Sequence, residues 1–146
     1  MERTEKHLGK ILIEKGLITP KQLEDALAEQ RRTKEYLGAV LLRRKHIKEK
    51  DLLKAISEKF KIPFVSIKDR YINCDLIKRF SRGLVFEHKC LPLEINDMSL
   101  TVAIVNPLDM WMLKKTEEET LGFKLKFVLI SEGEMRETLE RCRKYL

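Results

Sequence analysis

Residues 7–30 read HLGKILIEKGLITPKQLEDALAEQ, and residues 36–59 read YLGAVLLRRKHIKEKDLLKAISEK. The two stretches align without a gap at an offset of 29 residues and share eight identical positions. Seven of these eight are apolar, glycine or helix-end positions, and three further positions keep apolar character. A repeat of this length is typical of one helical hairpin used twice, in which each copy buries the apolar face of the other.

Each copy carries the signals of two short helices. In copy one, apolar residues recur at helical spacing, Gly16 ends the first helix, and Thr19 begins the second with a capping-box pattern. Copy two keeps the spacing, but Lys45 and Lys48 stand where copy one has Gly16 and Thr19. The pattern predicts four short helices within residues 5–60.

The chain changes character at Lys61, where short apolar runs replace the helical spacing. The fold class predicted is α+β, with an amino-terminal four-helix bundle of two repeated hairpins (residues 1–60) followed by a small α/β subdomain (residues 61–146). The second part has a three- or four-stranded sheet. Its predicted strands are residues 64–67, 90–95, 100–105 and 123–130, and its predicted helices are residues 75–80, 108–121 and 131–145.

Composition limits the class of protein. Apolar residues make up 43% of the 146 residues, which is enough for a packed core, and no apolar run approaches the ~20 residues that a membrane span needs. The three cysteines, Cys74, Cys90 and Cys142, are widely spaced and lack a C-x-x-C motif. A reduced cytoplasmic setting without membrane insertion is therefore expected, and Cys90 is expected to be buried core.

Positive charge is concentrated in the first half. The net charge is +7, of which residues 1–60 carry +5. Two basic runs contribute most, Arg31-Arg32-Thr33-Lys34 and Arg43-Arg44-Lys45. Either these runs are solvated helix ends, where cations suit the helix dipole, or they face an anionic partner.

The sequence offers no catalytic constellation. The six glycines cannot supply a P-loop, and no Ser, Cys or Thr lies in a recognisable nucleophile context. The pair His88 and Cys90 is a weak metal signal without a second pair of ligands. We expect no catalytic residue, no metal site and no enzyme activity.

The repeats, with their L-G opening, G-L-I-T turn and L-x-x-A-L-x-x-Q closing helix, resemble the amino-terminal domain of type II secretion and type IV pilus assembly ATPases, the GspE amino-terminal or MshEN family. The resemblance continues through residues 61–65 and through the segment from Pro92 to Asp109. It implies a small helical bundle followed by an α/β subdomain, here without the ATPase.

The resemblance also implies a ligand, since family members bind cyclic di-GMP across two copies of a motif that begins R-L-G. The apolar half of this motif is present, but His7 and Tyr36 replace its two arginines and Lys59 replaces its second glutamine. Arginines of this kind would bind phosphate or guanine edges through two parallel hydrogen bonds. The candidate ligand-binding residues are His7, Leu8, Gly9, Leu23, Leu27, Gln30, Tyr36, Leu37, Gly38, Leu52, Ile56 and Lys59.

Three functions remain open on the sequence. The first is a non-catalytic regulatory or protein-docking domain whose partner is a cytoplasmic protein of a secretion or pilus system, or an ATPase. The second is a sensor that binds cyclic di-GMP or a related nucleotide across the repeats; no cofactor is required in either reading. The third and weakest is a helix-turn-helix nucleic-acid binder, which the lack of a recognition helix rich in Arg, Asn and Gln disfavours.

Overall fold

The computed structural model describes residues 2–145, with side chains from Lys6 onward. The chain divides into two compact units between Lys61 and Ile62. The first unit contains the four helices that the repeat predicts, in two hairpins. Their bounds are α1 Glu2–Glu14, α2 Pro20–Thr33, α3 Leu37–Arg43 and α4 Glu49–Phe60.

The turns inside the two hairpins have the same backbone conformation. Gly16 has a φ of 73°, and Lys45, its equivalent in copy two, has a φ of 59°. In both turns this residue donates to a carbonyl three residues back, and the next residue donates to a carbonyl five residues back. This is the Schellman arrangement that ends many helices. The turn therefore survives the loss of glycine, with a lysine in a left-handed conformation.

The helices that follow these turns begin differently. Thr19 accepts a hydrogen bond from the Gln22 backbone, and the Gln22 side chain accepts one from the Thr19 backbone, which completes the predicted capping box. Lys48, at the equivalent position before α4, makes no side-chain capping hydrogen bond. Copy two therefore keeps the helix start through packing and backbone geometry alone.

The second unit is built around a mixed three-stranded sheet in the order β1-β2-β3. Strands β1 and β2 form the predicted antiparallel hairpin, and β2 and β3 run parallel, with Val102 opposite Phe127. The parallel pair needs a crossover, which α5 provides. The bounds are a 3₁₀ helix Cys74–Arg79, a π-helical turn Gly83–Glu87, β1 Cys90–Asn96, β2 Ser99–Ile104, α5 Met110–Glu119, β3 Lys124–Leu129 and α6 Glu132–Arg143.

The prediction of a strand at residues 64–67 was wrong. Phe64 forms a single β-bridge with Leu129, the last residue of β3, and the chain then leaves the sheet. The residues that follow Phe64 bind Glu134 instead of β3: the Glu134 carboxylate accepts hydrogen bonds from the Ser66 hydroxyl and the Ile67 backbone N–H. The same contact leaves α6 (Glu132–Arg143) with half of a capping box. The Ser131 side chain accepts from the Glu134 backbone, but the Glu134 side chain binds Ser66 and Ile67 instead.

The core of the second unit lies between the sheet and the helices. Leu91, Val102 and Ile104 from the strands are fully buried with Leu84 and Met135 from the flanking turns and α6. Burial of apolar side chains of this size stabilises the fold by roughly 1.5–3 kcal/mol each.

Two of the three cysteines form a bond that the sequence did not predict. Cys74 in the 3₁₀ helix and Cys142 in α6 are joined by a disulfide, with their Cα atoms 5.2 Å apart across 68 residues of chain. The sequence suggested free thiols because no spacing motif marks this pair. Cys90 is buried as expected, and burial raises the pKa of its thiol to about 12.

The two left-handed turns give a matched test of backbone strain. Gly16→Ala should lower the free energy of unfolding by about 1 kcal/mol, because a Cβ is strained at positive φ although nothing lies within 4 Å of it. Lys45→Gly should be neutral or should raise that free energy by up to about 1 kcal/mol. Urea unfolding measures both, and equal destabilisation by the two variants would contradict the shared turn geometry.

The cysteines should differ in reactivity. After purification in air, we expect the folded protein to resist iodoacetamide, and we expect mild reduction to make the half-buried Cys74 reactive while the buried Cys142 and Cys90 stay protected. Intact mass and peptide mapping measure this. Removing the disulfide with Cys74→Ser should also lower the free energy of unfolding by about 2–4 kcal/mol. Labelling of Cys90 before denaturation, or of Cys74 without reductant, would contradict the assignment.

Candidate functional site

Half of the twelve candidate ligand-binding residues lie in the core of the helical unit. These buried positions include both motif glycines and are Leu8, Gly9, Leu37, Gly38, Leu52 and Ile56. Leu23, Leu27, Gln30 and Tyr36 are half-buried, and His7 and Lys59 are exposed. The two copies therefore differ: the motif side chains Leu52 and Ile56 of α4 are enclosed, whereas Leu23 and Leu27 of α2 reach the surface.

The motif glycines lie directly against motif leucines. A Cβ added at Gly9 would lie 2.5 Å from Cδ1 of Leu23, and one added at Gly38 would lie 3.1 Å from Cδ2 of Leu52. Gly9 and Gly38 are equivalent positions in the repeat, and so are Leu23 and Leu52. The same glycine–leucine contact therefore occurs in both hairpins, and an added Cβ would force the Leu23 side chain to move at Gly9 and the Leu52 side chain to shift slightly at Gly38.

The hairpins pack on each other crosswise. Helix α2 packs against α3 and α1 against α4, so each helix of one copy contacts the non-equivalent helix of the other. Ion pairs repeat this relation. Lys15 donates to Glu58 at 2.7 Å, and Arg44, the equivalent of Lys15, lies 4.0 Å from Glu29, the equivalent of Glu58. The unit is therefore pseudo-two-fold symmetric in its ion pairs as well as in its helices.

The polar positions of the motif do not repeat as well. Tyr36, in place of the second motif arginine, is the residue before α3, and its ring lies 3.3 Å from a Cβ added at Gly38. Its aromatic ring therefore covers the motif glycine, whereas an arginine at this position would place a positive charge there. His7 projects from α1 as an exposed side chain, and Lys59 lies in the last turn of α4.

A cluster of arginines, which the sequence showed only as two separate basic runs, forms around Glu29. Arg43 donates to both Glu29 and Glu35, the latter at 2.7 Å, and Arg44 and Arg32 lie within 4.0 Å of the Glu29 carboxylate. We call Arg32, Arg43 and Arg44 the arginine cluster. The hydrogen bond from Arg43 lowers the pKa of Glu35, and the carboxylates raise the pKa of Arg43.

A cleft of about 610 Å³ lies where the two turns meet, and His46 lines it. The Gln22 side-chain oxygen already accepts from Thr19, so its amide nitrogen donates to Nδ1 of His46 at 3.3 Å. In the neutral ring the proton is then on Nε2, which is buried and has no hydrogen-bond partner in the described structure. The acidic residues Glu49 and Asp51 line the cleft together with lysines, so the charge of its lining does not favour one class of ligand.

The second unit presents an aromatic cluster at the start of α5. His88 Nδ1 lies 2.6 Å from Asp109, whose other oxygen accepts from the Met112 backbone and caps α5. The His88 ring lies 4.2 Å from the ring of Trp111, which is 51% exposed. Helical spacing does not by itself distinguish a core from a surface position for Trp111. The structure places it at the surface, held by a histidine that an aspartate orients.

Neither a metal-ligand cluster nor a membrane-spanning helix is found in the part of the chain that the structure describes. Between residues 2 and 145, no group of three His, Cys, Asp or Glu side chains is placed to hold a metal ion. Over the same residues, none of the helices has the length and apolar character needed to cross a membrane.

Comparison with known proteins gives one curated relative and several solved structures of the same fold. The chain is 28% identical over 134 residues to the type IV pilus assembly ATPase PilB of Myxococcus xanthus (strain DK1622). The match covers 92% of this chain and 24% of PilB, so the chain spans about a quarter of the length of that relative.

The fold is similar to that of two domains of known structure. A structure of MshE with cyclic di-GMP matches with a TM-score of 0.78 and 22% identity, over 92% of this chain and 96% of that one. The N-terminal domain of XpsE matches with a TM-score of 0.73 and 18% identity, over 94% of each chain. At these identities the matches show a shared fold, and they confirm the α+β class.

The family model of the MshEN domain matches residues 60–145, which is more than half of the chain and includes the sheet unit. The sequence resemblance to this family includes parts of the same unit, residues 61–65 and the segment from Pro92 to Asp109. The chain belongs to the MshEN domain family.

Proposed function

We propose that this chain is a non-catalytic regulatory and protein-docking domain that acts in the cytoplasm. Its partner would be a protein of a secretion or pilus system, or an ATPase of which such a domain forms part. The relationship to PilB and the fold shared with the N-terminal domain of XpsE support this proposal.

The observation that carries the proposal is the contact between motif glycines and motif leucines. Leu23 packs on Gly9, and Leu52 packs on Gly38. These contacts account for four of the apolar motif positions by packing within each hairpin, without a ligand. The polar half, which a cyclic dinucleotide would need, is changed at His7, Tyr36 and Lys59. Loss of two charge-assisted contacts, at roughly 1.5–3 kcal/mol each, would weaken binding by two or more orders of magnitude.

A cyclic di-GMP sensor is the second candidate, and one observation favours it. Leu23, Leu27 and Gln30 of copy one and Tyr36 of copy two are half-buried rather than enclosed, so these four positions keep an accessible motif surface that a base could cover. The MshE structure with cyclic di-GMP has the same fold. In this reading the ring of Tyr36 would stack on a base.

Calorimetric titration with cyclic di-GMP separates the two functions. The docking proposal predicts no heat and no rise in melting temperature at millimolar ligand, at low and at physiological salt. A dissociation constant near or below micromolar would overturn it.

Two variants identify the surface if binding is seen. A sensor should lose binding on Gln30→Ala and on Tyr36→Ala, because both side chains belong to the accessible motif surface. Tyr71→Ala is the matched control, since Tyr71 is 86% exposed in the second unit and lies outside the repeats. Equal weakening by Tyr71→Ala and Tyr36→Ala would contradict binding at the repeats.

A further inference from the structure

The disulfide between Cys74 and Cys142 is unusual for the cytoplasmic setting proposed above. Cytoplasmic thiols are kept reduced, and the disulfides found there are mostly transient bonds of catalysis or of redox sensing. This pair lacks the C-x-x-C spacing of a catalytic redox motif. Redox sensing is therefore the role to compare with the structure around the bond.

The disulfide is the main restraint on residues 68–75. Six of these eight side chains are exposed, and only Ile72 is fully buried. Backbone hydrogen bonds in the described structure join the segment to residues at most three positions away, as from Arg70 to the Ile67 carbonyl. Its ion pair to β1, from Arg70 to Glu94 at 2.6 Å, is partly exposed, and such pairs contribute little to stability. Without the disulfide, Ile72 would be the main attachment of the segment to the core.

The two cysteines differ in their access to a reductant. Cys74 is half-buried and lines a cleft of about 380 Å³, whereas Cys142 is fully buried in the core. A reductant that carries two thiols would therefore attack Sγ of Cys74, because thiol–disulfide exchange depends on access to the attacked sulfur.

The exchange balances in two steps. The first thiol of the reductant loses its proton and bonds to Sγ of Cys74, while the electron pair of the broken S–S bond leaves with Sγ of Cys142, which takes up a proton. The second thiol of the reductant then attacks the mixed disulfide and releases Cys74 as a thiol. Two electrons and two protons pass to the protein, and the dithiol becomes a disulfide.

The disulfide also joins the two walls of the cleft. One wall is formed by residues 70–75, and the other by Arg141 and Tyr145 at the end of α6. Helix α6 is held in the core by other buried side chains, including Met135 and Leu139, so it keeps its place without the bond. Reduction therefore releases one wall of the cleft and leaves the other.

We infer that the disulfide between Cys74 and Cys142 is a redox switch, which orders residues 68–75 when it is oxidised and releases them when a dithiol reduces it. The cleft has two fixed walls in the oxidised protein and one in the reduced protein. The release is local, because the sheet and α6 keep their buried side chains. Of the proposed function, this inference uses only the cytoplasmic setting.

Hydrogen exchange of the backbone amides tests the switch in the intact chain. Exchange is measured after oxidation in air, after treatment with dithiothreitol and after reoxidation, and intact mass gives the state of the cysteines each time. Cys74→Ser is the matched variant, because it lacks the bond but keeps a small polar side chain at this half-buried position. Amides of the paired strands β2 and β3 are the internal reference.

We expect dithiothreitol to speed exchange in residues 68–75 by about tenfold or more, while amides of β2 and β3 stay within about twofold of their rates in the oxidised protein. Reoxidation should restore slow exchange. The Cys74→Ser variant should exchange rapidly in this segment with or without dithiothreitol. Trypsin should also cleave after Lys68 and Arg70 faster in the reduced protein, since both side chains are exposed.

Several results would overturn the inference. One is a chain that forms no bond between these cysteines in air, and another is a bond that dithiothreitol reduces only after denaturation, as expected of a purely structural disulfide. Unchanged exchange in residues 68–75 after complete reduction, or an equal rise in the sheet, would overturn it as well. None of these experiments measures the binding of a partner or of cyclic di-GMP, so such a failure leaves the proposed function as it stands.

Discussion

The helical unit depends on the close approach of two helices at a glycine in each hairpin. Leu23 packs on Gly9 within one hairpin and Leu52 on Gly38 within the other, and between the copies α2 packs on α3 and α1 on α4. The ion pairs of Glu58 with Lys15 and of Glu29 with Arg44 follow from that arrangement, because it brings the end of each first helix to the other copy's second helix. Packing within the helical unit therefore explains these repeated positions without reference to a ligand.

This constraint separates the parts of the motif that packing holds from the parts that function can change. The glycines and leucines are tied to each other, so they persist whether or not a ligand binds. His7 and Lys59 are exposed and carry no comparable packing constraint, whereas the Tyr36 ring covers Gly38. All three are positions where the chain departs from the family motif. Surface charges also differ between the copies, since Arg43 and Arg44 of copy two correspond to Glu14 and Lys15 of copy one. We infer that this domain keeps its scaffold while its surface serves a protein partner.

The sequence predicted the helical unit well because its signals are local. Helical spacing, Gly16 and the Thr19 capping box each act within a few residues, and even Lys45 follows the turn that the repeat implies. The features that were missed depend on residues far apart in sequence. Phe64 fails to begin a strand because Glu134 binds the following residues, and the pairing of Cys74 with Cys142 requires the 3₁₀ helix to meet α6. The residues of the candidate site could be predicted as motif positions. The approach of the two basic runs to Glu29 could not, because it results from the crosswise packing of the helices.

Backbone amide chemical shifts test the central claim most directly, because Gly9 and Gly38 report from inside the two hairpins. Spectra of the labelled chain would be recorded with and without cyclic di-GMP. The account predicts that cyclic di-GMP leaves Gly9, Gly38 and their neighbours unshifted. Concerted shifts at both glycines with cyclic di-GMP would show that the repeats still form a ligand site, and would contradict the account.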